Sequence, residues 1–145
     1  MVRLNEELAG RMRAHAAETF PNECCGALLG REDANGREVV EVLPLVNRRD
    51  DSPRNRFAIT PDDFRAAERA AKERGLALVG WYHSHPDHAA RPSDYDRQHA
   101  WPWYTYIIVG VERGEPKLMT SWRLADDRAW FVPEEIQTAE ARATA

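Results

Sequence analysis

Apolar side chains recur in four-residue steps at Leu4, Leu8, Met12 and Ala16, with Glu6, Glu7, Arg11 and Arg13 largely off that line. This is the period of a helix with one buried face, and it predicts a helix from Leu4 to about Thr19. Phe20-Pro21-Asn22 ends it. Glu23 to Leu29 is small and apolar and predicts a strand, in which Gly26 permits close backbone approach. Gly30 to Gly36 reads as a polar turn and Arg37 to Val46 as a second strand, together a hairpin. Asn47 to Arg56 is a polar loop of mixed charge, and Phe57-Ala58-Ile59 a short strand. Thr60-Pro61-Asp62-Asp63 is a helix start, with Thr60 as N-cap, proline at the first helical position and acids in the first turn. That helix runs to about Arg74, where Gly75 stops it. Leu76 to Tyr82 is nearly continuous in apolar residues, as in a strand buried on both faces. Asp87 to Pro92 forms a loop, and Ser93 to about Ala100 a short helix. Trp103 to Val111 and Gly114 to Arg123 pair as a hairpin, and Trp130 to Val132 makes a last strand. Beyond Pro133 the chain is polar and alanine-rich, which predicts a frayed helix or disorder.

The order helix, hairpin, strand, helix, central strand, loop, hairpin predicts an α/β fold with a mixed sheet flanked by helices. The 145 residues suit one domain, over residues 1–133, with a polar tail over 134–145. Hydrophobic content of 43% and charged content of 30% are ordinary for a soluble globule. A net charge of -4 gives no electrostatic case for nucleic acid or an anionic membrane. No apolar run follows a basic start, so no signal peptide is expected, and no run approaches a membrane span. The two cysteines, Cys24 and Cys25, are neighbours, which excludes a disulfide framework and favours a reducing cytoplasm. Adjacent strand residues face opposite ways, so both are read as buried packing. A thiol-dependent hydrolase is the minority reading. The aromatic group Trp81, Trp101, Trp103 and Tyr104 is read as core.

The candidate chemistry lies in His83-Ser84-His85-Pro86, continued to Ser93 and Asp96. In an extended segment, residues two apart point to the same side, so His83 and His85 can aim at one point. Pro86 keeps the chain extended or turning there. Asp96 returns from the short helix, with Ser93 as its N-cap at capping-box spacing. Two imidazoles and a carboxylate suit a catalytic Zn²⁺ with an open fourth position, although Mn²⁺, Fe²⁺ or Ni²⁺ accept the same donors. Such a cation acidifies water and needs a nearby acid–base partner. His15, His88 and His99 are assigned no role.

The string His-x-His-Pro, six residues, then Ser-x-x-Asp, with a glutamate well upstream, resembles the JAMM motif of the MPN (JAB) metalloprotease family. Glu23, His83, His85, Pro86, Ser93 and Asp96 match it without a gap. The segments Phe20 to Gly26, Arg91-Pro92-Ser93 and Trp101-Pro102 resemble the small bacterial members. The resemblance implies a cytidine-deaminase-like sheet, although the deaminase signature of His-x-Glu with Pro-Cys-x-x-Cys is absent. It implies His83, His85 and Asp96 as zinc ligands, Glu23 as the base and Ser93 as an oxyanion donor. It implies a zinc-dependent peptidase or isopeptidase acting at the C-terminus of a ubiquitin-like, sulfur-carrier protein. A metal-free scaffold of the same family is the alternative.

Overall fold

The computed structural model describes residues 1–47 and 59–139. The expected loop at 47–56 and strand at 57–59 therefore lie outside the described residues, apart from Asn47 and Ile59. The elements are β1 (Val2–Asn5), α1 (Glu6–Thr19), β2 (Cys25–Asp33), β3 (Gly36–Leu45), α2 (Pro61–Glu73), β4 (Ala77–Pro86), α3 (Asp94–His99), β5 (Thr105–Glu112), β6 (Glu115–Leu124), β7 (Phe131–Glu134) and β8 (Ile136–Ala139). The described strands form one mixed sheet in the order β7-β6-β5-β4-β2-β3-β1-β8.

Helix α1 covers one face of this sheet. Its buried Leu8, Ala9, Met12 and Ala16 pack on Cys24, Leu28, Val79, Tyr82 and Ile107. Asn5 caps the helix by accepting the Leu8 N–H at 2.8 Å. Leu4, expected on the helix, belongs instead to β1, because Asn5 ends the extended segment and begins the helix one residue later. Helix α2 covers the other face, where Phe64, Ala67 and Ala71 pack with Ala27, Leu29, Leu78, Trp81 and Tyr106. Its Thr60 and Asp63 form the capping box that the sequence pattern announces.

The central strand β4 pairs antiparallel with β2 and parallel with β5. It continues through Pro86, four residues past the apolar run, so His83, Ser84 and His85 are all strand residues. Alternation then sends Tyr82 and Ser84 toward α1, and Trp81, His83 and His85 toward the opposite face. Gly26 lets the Tyr82 ring lie across β2: a Cβ there would sit 2.1 Å from the ring.

Two expectations are corrected. The turn at Gly30 to Gly36 is shorter, because β2 runs on to Asp33 and pairs with Gly36 across a two-residue loop. Beyond Pro133, the described residues as far as 139 continue the sheet instead of forming a frayed helix: β8 pairs parallel with β1, with Val2 opposite Ile136. Only Glu135 separates β7 from β8, yet the two sit at opposite ends of the strand order. The sheet thus curls until one kinked segment joins both its edges.

Candidate metal centre

The β2–β4 register places Cys25 opposite His83. Extending it by two residues sets Glu23 opposite His85. The entry into β2 is fixed by three further bonds: Ser84 N–H donates to the Cys24 carbonyl at 3.2 Å, Cys24 N–H to Ser84 Oγ at 2.8 Å, and Asn47 Nδ2 to the Glu23 carbonyl at 3.1 Å. Glu23, His83, His85 and Asp96 are all buried. Ligating atoms of Glu23, His83 and His85 lie within 4.8 Å of one another.

Asp96 comes from the first turn of α3. Its N–H donates to Ser93 Oγ at 3.0 Å, and its Oδ2 accepts the Ser93 N–H at 2.9 Å. The same Oδ2 lies 3.2 Å from His83 Nε2 and 3.1 Å from His85 Nε2, and the two Nε2 atoms are 3.1 Å apart. These three atoms form a nearly equilateral triangle. With metal–ligand bonds of about 2.0–2.1 Å, the edge of a tetrahedron is about 3.3 Å.

The tautomer of His85 follows from its second ring nitrogen. Its Nδ1 lies 2.7 Å from the Ala89 carbonyl. A carbonyl only accepts, so Nδ1 carries the proton and the neutral ring presents a lone pair at Nε2. That lone pair faces the Asp96 oxygen that also accepts the Ser93 N–H. Two imidazole nitrogens and a carboxylate oxygen gathered at this spacing are a donor set that fits a divalent first-row metal.

Electrostatics separate the two carboxylates. Burial opposes the charged form of Asp96, but the facing His83 and His85 outweigh it and hold its carboxyl well below the usual range. Burial pushes Glu23 up to about 8, with His85 working against the rise and Asp96 adding to it. Glu23 Oε1 has no hydrogen-bond partner among the described residues. A buried carboxyl with one oxygen unengaged and an elevated affinity for protons is equipped to take and return one.

Sequence reading assigned no role to His88, which stacks on His85 with ring centroids 4.2 Å apart. It took Trp101 as core, whereas Trp101 is 43% exposed and lines a pocket beside His83 and Asp96. Only the three-residue step from His85 to His88 hinted at the first, and nothing local hinted at the second. Cys24 and Cys25 are both buried, and burial drives the Cys24 thiol up to about 11, away from nucleophilic chemistry.

A helix-flanked mixed sheet with paired imidazoles at the end of its central strand, faced by Glu23 from the entry to β2 and Asp96 from α3, is the arrangement of a metal-dependent hydrolase. The chain belongs to the family described as prokaryotic homologs of the JAB domain, whose model matches residues 5–125. It is 36% identical over 108 residues to a desampylase of Haloferax volcanii, covering 74% of this chain and 76% of that protein. It is 36% identical over 100 residues to a probable TtuB-protein conjugate cleaving protease of Thermus thermophilus, covering 69% of this chain and 64% of that one. The solution structure of a Desulfitobacterium hafniense protein superposes with a TM-score of 0.85 at 35% identity, covering 97% of this chain and 94% of that chain.

Proposed function

We propose that this protein is a zinc-dependent peptidase or isopeptidase that hydrolyses the amide bond joining the C-terminus of a ubiquitin-like, sulfur-carrier-type protein to an amine. The observation that carries this reading is the triangle of acceptor atoms beside the unengaged oxygen of Glu23. His83, His85 and Asp96 would hold the metal, which when bound supplies a Lewis acid and lowers the pKa of water. Glu23 takes a proton from the attacking water as the carbon–oxygen bond forms. Ser93 Oγ accepts the Asp96 N–H at 3.0 Å and keeps its own proton to donate to the developing oxyanion. As the carbon–nitrogen bond breaks, Glu23 returns the proton to the departing amine, and the products are a carboxylate and a free amine.

The relatives named for desampylase and conjugate-cleaving activity support a substrate of the ubiquitin-like kind. Such a carrier presents an extended tail that can lie along a strand near the site. We place the reaction in the cytoplasm because the two neighbouring cysteines, Cys24 and Cys25, are free thiols; among the described residues, no helix is long and apolar enough to cross a membrane. The scaffold alternative is not favoured, since every motif residue is present.

The test is incubation with candidate sulfur-carrier conjugates, with and without chelator, read by intact mass. Loss of the conjugated group as one hydrolysed bond, abolished by chelator and restored by Zn²⁺, is expected. Unchanged conjugates with metal bound would overturn the proposal.

A further inference from the structure

A pocket of about 190 Å³ lies against the triangle and shares His83 and Asp96 as part of its wall. The rest of the wall is mainly aromatic: Trp81, Tyr95, Trp101 and Tyr106. Trp81 is fully buried, Trp101 forms a half-open rim, and the Tyr106 hydroxyl accepts the Trp101 N–H at 2.8 Å. That bond fixes the rim to β5. Ile59, His99 and Ala100 complete the described wall.

Hydrolysis of an amide has an acyl side and an amine side. On the reading above, on which this inference rests, the acyl side is the carrier's extended tail, which lies along a strand. A walled cavity touching two of the proposed ligands then serves the amine side. Its aromatic faces reward hydrocarbon, and burying a charged side chain against them carries a desolvation cost. We propose that this pocket receives the side chain of the residue that follows the scissile bond, and that it selects a bulky, uncharged, apolar one. Sites of this kind discriminate by added methylene groups, typically about tenfold or more between a filled and an empty pocket.

The test uses the full chain loaded with Zn²⁺ and a ubiquitin-like carrier protein, fused at its C-terminus to peptides beginning with Gly, Asp, Leu or Phe. The Leu and Phe fusions are expected to exceed the Gly and Asp fusions in kcat/KM by about tenfold or more. Ala100→Leu, which fills the pocket, and Trp101→Ala, which opens its rim, are each expected to bring the Leu-to-Gly ratio toward one. Because the readout is a ratio within one variant, a general loss of activity does not imitate it. Equal kcat/KM across the four fusions would overturn the pocket. A parallel binding measurement separates this inference from the proposed function. Phenylalaninamide and glycinamide are titrated into the protein while the indole N–H resonance of Trp101 is followed by NMR. If no fusion is cut but phenylalaninamide alone shifts that resonance, the substrate reading falls and the pocket stands. If neither amide shifts it, the pocket falls.

Discussion

At the scale of single residues, the site turns on what each buried polar atom can do. Glu23 and Asp96 are both carboxylates, but Asp96 is spoken for by Ser93 and two imidazoles, while Glu23 keeps an oxygen unengaged. Glu23→Gln preserves shape and removes the proton carrier. Metal content by elemental analysis should stay at the wild-type level while turnover falls by about 10²–10⁴-fold; a Glu23→Gln variant that works normally would strip this residue of its role. His15 offers a second residue-level test, away from the site. Burial lowers its affinity for protons, against a smaller opposing effect of Glu18, and its Nδ1 lies 2.8 Å from the Tyr82 hydroxyl. With the folded-state pKa below the unfolded value of about 6.5, the unfolded chain binds more protons as the pH drops through that window. The sign is therefore a loss of stability on acidification below about pH 6.5. Urea denaturation of the wild type and of His15→Gln at pH 7.5 and 5.5 should show a smaller acid loss in the variant; equal losses would place the sensitivity elsewhere.

At the scale of elements, the two capping boxes look alike and do different work. Thr60 and Asp63 start α2 with bonds of 3.1 and 3.3 Å, and Ser93 and Asp96 start α3 with bonds of 3.0 and 2.9 Å. In α3 the oxygen that receives the cap is also the one facing both imidazoles. The Ser93 cap therefore orients the carboxylate we propose as a metal ligand as well as starting a helix. Losing either cap should cost about 1 kcal/mol of stability. Ser93→Ala should also weaken Zn²⁺ binding by about 10–100-fold, with Ser93→Thr restoring it, while Thr60→Ala leaves the affinity alone. Competition titration with a chelating dye reads both; equal affinities in Ser93→Ala and wild type would show that Asp96 is oriented by other contacts. These caps were legible because their chemistry is local, a hydroxyl and an acid three residues apart. The convergence of His83, His85 and Asp96 was legible through their spacing and the extended reading of β4, whereas Glu23 came in only through the family resemblance. The pairing that sets Glu23 across from His85 is a register between distant strands, and no local pattern carries it. Strand β8 was illegible for the same reason: Ile136-Gln137-Thr138-Ala139 has one large apolar residue and is a strand because β1 offers it an edge.

At the scale of the whole molecule, the β7–β8 segment supplies both terminal strands of the sheet, β7 covering the edge of β6 and β8 the edge of β1. A polar cluster sits behind this closure. Arg37, fully buried, donates to the Val79 carbonyl at 2.9 Å and to Thr105 Oγ1 at 3.2 Å, and lies 4.0 Å from the Trp103 ring centroid. Thr105 donates onward to Glu134 at 3.0 Å, and Arg123 Nε reaches the same carboxylate at 2.9 Å. Residues of β3, β5, β6 and β7 are tied together there, just before the chain turns at Glu135 to become β8. A chain ending at Glu135 would keep the cluster and lose the strand. The four residues of β8 pair with β1 from Val2 to Asn5, and Ile136 packs on the core under α1. At about 1 kcal/mol net per backbone hydrogen bond, their loss should cost on the order of 2–4 kcal/mol. It should also leave β1 as an unpaired edge, which invites pairing with another copy. Thermal denaturation of the shortened chain should show a lower midpoint, and sedimentation velocity should show association that grows with protein concentration. A shortened chain that melts like the full one and stays monodisperse would mean that β1 is protected without β8, and that the closing strand contributes nothing to the stability of the sheet.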